Sequence, residues 1–525
     1  MRRISSVAEV RARLIERREV ALLDVREEGE YAQAHPLFAA SLPLNSIELE
    51  VWDRLPRKDV PIVVYDDGEE LARRAVGRLA ELGYSDISVL EGGLAGWQAA
   101  GAEVFQDVNV PSKAFGELVE ARRHTPSIPA EELHAKLKAG ENLVVLDARR
   151  VEEYQTMSIP TAASVPGGEL VLRVRDIAPD PKTLVVVNCA GRTRSIIGAQ
   201  SLVNAGVPNP VAALRNGTIG WTLAGLTLDR EASKKYPPVS GEARERASAA
   251  ARALADKAGA LRIDWNGYRT WLQDPTRTVY RFDVRAPTEY EGGHLSGFRS
   301  APGGQLVQET DVFAPVRGAR IVLVDSEGVR ANMAASWLAQ MGWDVAVLDE
   351  DIERAELEVG QWQARRPPFA DFSTIAPDAL SRLMKQRAVT VIDLASSPEY
   401  ARAHVPGAWW ASRSDWATAL PALPSHQAVA LTSPDGAIAA YGAAEFEAFS
   451  GISPSGVAGG TRAWQEAGLT MEHGAARQFG AARDVYKRPY EGTDNLRDAM
   501  QGYLNWEFGL VAQLARDDTH HFHVI

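Results

Sequence analysis

Cysteine is almost absent from this chain: Cys189 is the one thiol in 525 residues. A single cysteine excludes an internal disulfide framework and any Cys-x-x-Cys metal site. It fits a compartment that keeps thiols reduced, so a cytoplasmic location is expected. Positive charge is also short. There are 57 Lys and Arg against 69 Asp and Glu, a net charge of −12, which argues against a nucleic-acid-binding face. Long apolar runs are missing. No window approaches the ~20 apolar residues that span a bilayer, and "MRRISSVAEVRARLIERREV" has the spacing of an amphipathic helix rather than a signal peptide. Neither nucleic acid nor membrane is an expected partner.

The composition that remains, 45% hydrophobic and 24% charged, is that of a soluble globular protein. At ~150 residues per domain, the length implies three or four domains. Internal similarity decides for four. "LLDVREEGEYAQAHP", "VLDARRVEEYQTMSIP", "RFDVRAPTEYEGGHLSG" and "VIDLASSPEYARAHVPG" each carry an apolar strand ending in Asp (Asp24, Asp147, Asp283, Asp393), then Glu-Tyr. A histidine follows in three copies, His35, His294 and His404, where the second has Ser158. About forty residues after each Asp comes an apolar run, a turn and a helical segment. Aligned on the turn glycine, Cys189 corresponds to Asp66, Ser326 and Pro434. A third landmark ends at Trp97, Trp221 and Trp464, and degenerates in the third copy.

Apolar runs such as "PIVVYD" and "LVVVNC" alternate with helical patterns, the mark of buried parallel strands joined by right-handed crossovers. The expected fold class is α/β: four tandem domains, each a parallel sheet with helices on both faces. Their boundaries are expected at 1–106, 107–235, 236–365 and 366–475, with linkers near 106–127, 231–247 and 364–372 and a connecting helix around 242–258. The tail 476–525 carries the pattern of a helix of ~15–20 residues with aromatic anchors, packed on a domain or on a partner.

These landmarks resemble the rhodanese family, sulfurtransferase domains related in fold to certain cysteine phosphatases. "DLASSPEYARAHVPGAWW" matches the family's early signature best, in a copy without cysteine. The resemblance places the family's six-residue active-site loop, between central strand and helix, on "CAGRTR", Cys189 to Arg194. It covers nearly all of residues 5 to 475 and leaves the tail unassigned. It implies transfer of a sulfane sulfur, from thiosulfate or a similar anion to cyanide or a thiol, through a persulfide at Cys189.

The residues make that chemistry sensible. A strand-to-helix turn leaves main-chain N–H groups pointing into its own hollow, and the helix N-terminus adds partial positive charge. Cys189 at its mouth is therefore expected to have a depressed pKa, strengthened by Arg192 and Arg194. Ala190, Gly191, Arg192, Thr193, Arg194 and Ser195 are the expected substrate-binding residues. A phosphatase loop would carry arginine where Ser195 stands, so phosphate chemistry is disfavoured. The loop also lacks the pattern of 3-mercaptopyruvate enzymes, which favours thiosulfate as donor over 3-mercaptopyruvate.

Asp147, Arg149 and Asn188 are expected to support the loop base. Asp-x-Arg recurs in copies without cysteine, which favours a fold role. The other copies replace the cationic loop with acids and are expected to be catalytically inactive. "HHFHVI" at the end offers histidines at metal-binding spacing, but neither cofactor nor metal is expected at the sulfur site. A scaffold that accepts persulfide and a redox sensor using the thiol remain the alternatives. A homodimer or a sulfur-acceptor protein remains open as protein partner.

Overall fold

A computed structural model describes residues 3–68, 70–369, 372–419, 421 and 428–525. Residues 370 and 371 of the expected 364–372 linker lie outside the described residues. Four parallel sheets are present, all with one strand order: the first strand of each unit lies beside the fifth, followed by the fourth, second and third. The apolar runs are the central strands. Val20–Asp24 pairs with Ile62–Tyr65, Leu143–Asp147 with Leu184–Asn188, Val279–Asp283 with Arg320–Val324, and Thr390–Asp393 with Val429–Thr432. At the start, the amphipathic pattern forms only Val7–Ile15, between strands Arg3–Ser5 and Val20–Asp24. The connecting helix runs over Gly241–Ala258 and the tail helix over Arg497–Leu514.

The repeated Asp-x-Arg and Glu-Tyr are parts of one local frame. Asp24, Asp147 and Asp283 each end a strand and are gripped by the arginine two residues on. That arginine also donates to the carbonyl of Ala34, Met157 or Gly293, eight residues further along. The tyrosine hydroxyls donate to the carbonyls of Ala39, Ala162, Phe298 and Ala408 at 3.0, 2.8, 2.9 and 2.8 Å. His35, His294 and His404 stack on these tyrosines, with ring centroids 4.0, 3.7 and 3.8 Å apart. The motif therefore closes the turn after the second strand in every unit.

The third landmark is a steric one. A β-carbon on Gly93, Gly217 or Gly460, all at positive φ, would collide with the carbonyl of Asp66, Cys189 or Ser433. The next residue's N–H donates to that same carbonyl, at 3.0, 2.9 and 3.0 Å for Leu94, Thr218 and Thr461. This contact corrects the alignment. Strand pairing sets Asp24 opposite Tyr65, Asp147 opposite Asn188, Asp283 opposite Val324 and Asp393 opposite Thr432. The residue that follows is the true counterpart of Cys189: Asp66, Asp325 and Ser433, not Ser326 and Pro434. The turns differ in length, so matching their glycines shifts the frame by one residue.

The units are not beads on a string. Val316–Arg317 of the third adds an antiparallel strand to Val20–Asp24 of the first. Phe282, Ile321 and Leu323 share a continuous apolar core with Leu23, Ile62 and Val64. Arg413 of the fourth unit is buried against Glu48 of the first, at 2.8 Å.

The fourth unit tests the frame, because Ala395 stands where the arginine should. Burial then pushes the Asp393 carboxyl up to about 6, against the Ala395 N–H and Thr461 hydroxyl that favour its ionised form. Its folded pKa exceeds the unfolded one, so the site loses stability as pH rises from about 4 to about 6. Asp393→Asn is expected to stabilise this unit by roughly 2–3 kcal/mol at pH 7 and by nothing below about pH 4. Slower hydrogen exchange of the Thr390–Asp393 amides at pH 7 alone checks this. Arg149→Ala in the second unit leaves a fully buried Asp147 without its partner, and a loss of about 3–5 kcal/mol is expected on urea unfolding.

Candidate active site

Cys189 sits where the sequence places it, after strand Leu184–Asn188 and before helix Thr193–Asn204. The base of the loop is tied down. Asn188 Nδ2 donates to Asp147 Oδ2 at 2.8 Å, and Arg149 holds both Asp147 oxygens at 2.9 and 2.8 Å. The three supporting residues thus form one chain beneath the thiol. Ser195 Oγ donates to the Arg192 carbonyl at 2.8 Å, bracing the first helical turn. Thr193 packs on Gly116 of helix Val110–Arg123 through its methyl, and its buried hydroxyl has no partner.

The loop's preference for negative charge can be read from its copies without cysteine. In the third unit the Asp325 carboxylate turns back into its own loop. It accepts from the N–H of Gly328, Val329 and Arg330 at 2.8, 3.0 and 2.8 Å. In the first unit Asp66 accepts from Gly68 and Ala72 at 3.1 and 3.0 Å. A built-in carboxylate fills each of these two cradles. In the second unit the same position carries Cys189, where Arg194 and Ser195 favour the ionised form of the thiol.

Two electrostatic expectations need correction. Cys189 is 1% exposed, and burial pushes its thiol pKa up, not down; Arg194 and Ser195 oppose the shift and Glu507 adds to it. Nor do both arginines face the hollow. Arg192 turns to helix Val110–Arg123, where Nε and Nη2 meet Glu117 at 2.7 and 2.8 Å and Glu120 pairs with Nη2. Its guanidinium lies over the Phe508 ring, 4.2 Å from the centroid. Arg194 is the cation that acts on the thiol. It is held bidentate by Glu153 at 2.7 and 2.8 Å. Burial disfavours that carboxylate, yet Arg194, with Arg149 behind it, holds it down at about 2.

What buries Cys189 comes from elsewhere in the chain. The hollow beside it encloses about 10 Å³ and is closed by Lys113 of the linker helix, Gln308 of the third unit, and Tyr490, Tyr503 and Glu507 of the tail. Lys113 is itself buried, 2.6 Å from Asp107 Oδ1 and ringed by Tyr490, Tyr503 and Trp506 at 5.1–5.6 Å. None of these five was expected from sequence. One signal was there: Met500, Tyr503, Leu504, Glu507, Leu510 and Leu514 form the helix's buried stripe, and Glu507 is the charge out of place in it.

Other charged and histidine side chains lie away from the hollow. Arg173 pairs with Glu169 and stacks on Tyr236. The terminal histidines serve packing: His520 and His521 meet the carbonyls of Leu514 and Leu14, both at 3.2 Å. Among the described residues no group of three or more His, Cys, Asp or Glu is placed to hold a metal ion. Among them, too, no helix is long and apolar enough to cross a membrane.

A parallel sheet repeated four times, with a strand-to-helix loop at the same place in each, defines a class, and comparison with known proteins agrees. The rhodanese-like domain model matches residues 6–100, 129–224, 268–356 and 376–467. The chain belongs to the rhodanese-like family. A solved structure, that of thiosulfate sulfurtransferase from Pseudomonas aeruginosa, is similar over 100% of both chains, at 57% identity and a TM-score of 0.99. The putative sulfur carrier protein YrkF of Bacillus subtilis is 29% identical over 96 residues, 18% of this chain; the match spans 51% of that protein, about half its length. Thiosulfate sulfurtransferase GlpE of Coxiella burnetii is 27% identical over 86 residues, 16% of this chain and 78% of its own.

With the thiol both buried and raised in pKa, iodoacetamide at pH 7 is expected to alkylate Cys189 at least ~10-fold more slowly than free cysteine, and faster as pH rises. A rate like that of the free amino acid would contradict the geometry.

Proposed function

We propose that this chain is a thiosulfate sulfurtransferase whose single reaction centre is the Cys189 loop of the second unit. One observation carries the reading. The main-chain cradle that Asp325 fills with its own carboxylate in the third unit carries a nucleophilic side chain in the second. A cradle suited to a carboxylate suits an ionised thiol, a persulfide or a departing oxyanion. The similarity to the Pseudomonas aeruginosa thiosulfate sulfurtransferase over the full length supports the choice of donor.

In the first half-reaction, Cys189 Sγ attacks the outer sulfur of thiosulfate. The new S–S bond forms as the S–S bond to the sulfonate breaks, and sulfite leaves with the electron pair. In the second, cyanide or a thiol takes the outer sulfur and regenerates Cys189, giving ping-pong kinetics. Arg194 and the loop N–H groups stabilise the anionic persulfide. The other units, with Asp66, Asp325 and Ser433 at the cysteine position, serve as scaffold. The closed hollow also favours a second reading, a relay in which an acceptor protein draws the tail aside to reach the persulfide.

Incubation with thiosulfate is expected to add one sulfur, ~32 Da, to the intact mass, and Cys189→Ser to abolish the gain. Arg194→Met is expected to slow loading by ~10²-fold, the scale of losing one preorganised oxyanion donor. An unmodified wild-type mass under excess thiosulfate would remove the reading.

A further inference from the structure

The tail does more than cover the loop: it brings a carboxyl to it. Glu507 is 1% exposed, and its Oε2 has no hydrogen-bond partner. The same atom lies over Gly191, where an added β-carbon would be 3.1 Å from it, and the residue lines the same hollow as Cys189. Its other oxygen is fixed by the Tyr503 hydroxyl, which donates to Oε1 at 2.9 Å. A carboxyl in a largely apolar helical stripe, one oxygen anchored and the other unpartnered beside the hollow that a thiol also lines, has the arrangement of a proton carrier.

Cys189 needs one. Burial raises its pKa, so its proton has to be removed before it attacks, and the sulfur expelled in the second half-reaction is a poor leaving group until it is protonated. The other groups around the hollow do not offer that exchange. Lys113 is committed to Asp107, Arg192 to Glu117 and Glu120, and Arg194 to Glu153. Tyr490 and Tyr503 are held neutral, with burial pushing both phenols up.

Resting on the sulfurtransferase reading above, we propose that Glu507 carries the proton of Cys189 through the catalytic cycle. During loading, the Sγ–H bond breaks and the proton passes to Glu507 Oε2 as Sγ bonds to the outer sulfur and sulfite departs. Thiol, carboxylate and thiosulfate dianion thus become persulfide anion, carboxylic acid and sulfite dianion. During unloading, cyanide attacks the outer sulfur, the S–S bond breaks, and Sγ recovers its proton from Oε2. Persulfide anion, carboxylic acid and cyanide become thiol, carboxylate and thiocyanate. No further reactant is consumed.

The pH behaviour follows from what faces Glu507. Burial pushes its carboxyl up to about 8; Glu117 adds to the shift, while Lys113, the Tyr503 hydroxyl and Arg192 oppose it. Cys189 and Arg194 face it from the loop, and Tyr490 from the tail. Loading requires the carboxylate and therefore rises with pH through about 8; unloading requires the acid and falls through the same range.

Single-turnover measurements on the full chain separate the two steps: persulfide at Cys189 by intact mass after thiosulfate, then thiocyanate release, expressed per cyanide ion, between pH 6 and 9.5. Glu507→Gln, close in shape, is expected to slow both by ~10²-fold near pH 7 and to remove the inflections near 8 from both, leaving loading to climb only with the ionisation of the Cys189 thiol itself. Tyr503→Phe, which deletes a donor to the carboxylate, is expected to move them upward. Wild-type profiles without these inflections, a Glu507→Gln protein that keeps them however slow it is, or inflections unmoved in Tyr503→Phe would overturn the proposal while leaving the persulfide chemistry intact. Failure of the wild-type chain to load sulfur would instead remove the sulfurtransferase reading itself.

Discussion

The structure around the thiol depends on a competition between burial and hydrogen-bond donation at a single sulfur. The loop offers Ser195, the helix N-terminus and one committed guanidinium, all favouring negative charge. The tail and linker helix withdraw water, which disfavours it, and burial prevails. On the proposed reaction a persulfide would change the terms: its charge would sit on the outer sulfur, and its parent acid is intrinsically stronger than a thiol. The burial that holds the thiol quiet would then also shield a loaded sulfur from water and oxidant.

The units without cysteine illustrate how this motif folds with other side chains in that position. Where Asp325 or Asp66 follows the strand, the loop binds its own side chain and becomes a rigid turn. Arg330 repeats the role of Arg194, gripping Glu289 as Arg194 grips Glu153. The frame survives without cysteine because its stability comes from the Asp-Arg, Tyr-carbonyl and glycine contacts beneath, which do not involve the thiol. Only the outermost layer of the loop distinguishes the cysteine-bearing unit from the others.

Repetition made most of the fold legible. Four appearances of Asp and Glu-Tyr, and three of the glycines before Trp, exceed what chance supplies, and each landmark is a contact within about forty residues in sequence. The position of Cys189 and its support by Asp147, Arg149 and Asn188 were legible for that reason. The frame shift at Ser326 and Pro434 arose because turn glycines move with loop length, whereas strand pairing does not. What the sequence hid was everything contributed across units. Arg192 reads as a loop cation until Glu117, 75 residues earlier, claims it. Lys113 and Glu507 reach the loop through packing that no local pattern encodes.

The strand Val316–Arg317, laid against Val20–Asp24, also bears on how the chain is made. The first unit emerges from the ribosome with its own five parallel strands, Ala40–Ser41 covering the Leu23–Asp24 end of that strand, but its Val20–Ala21 end stays unpaired on this side until the third unit has been translated. Such an open edge is a template for pairing with an extended chain nearby. The nascent chain thus exposes that edge until the third unit arrives to cover it.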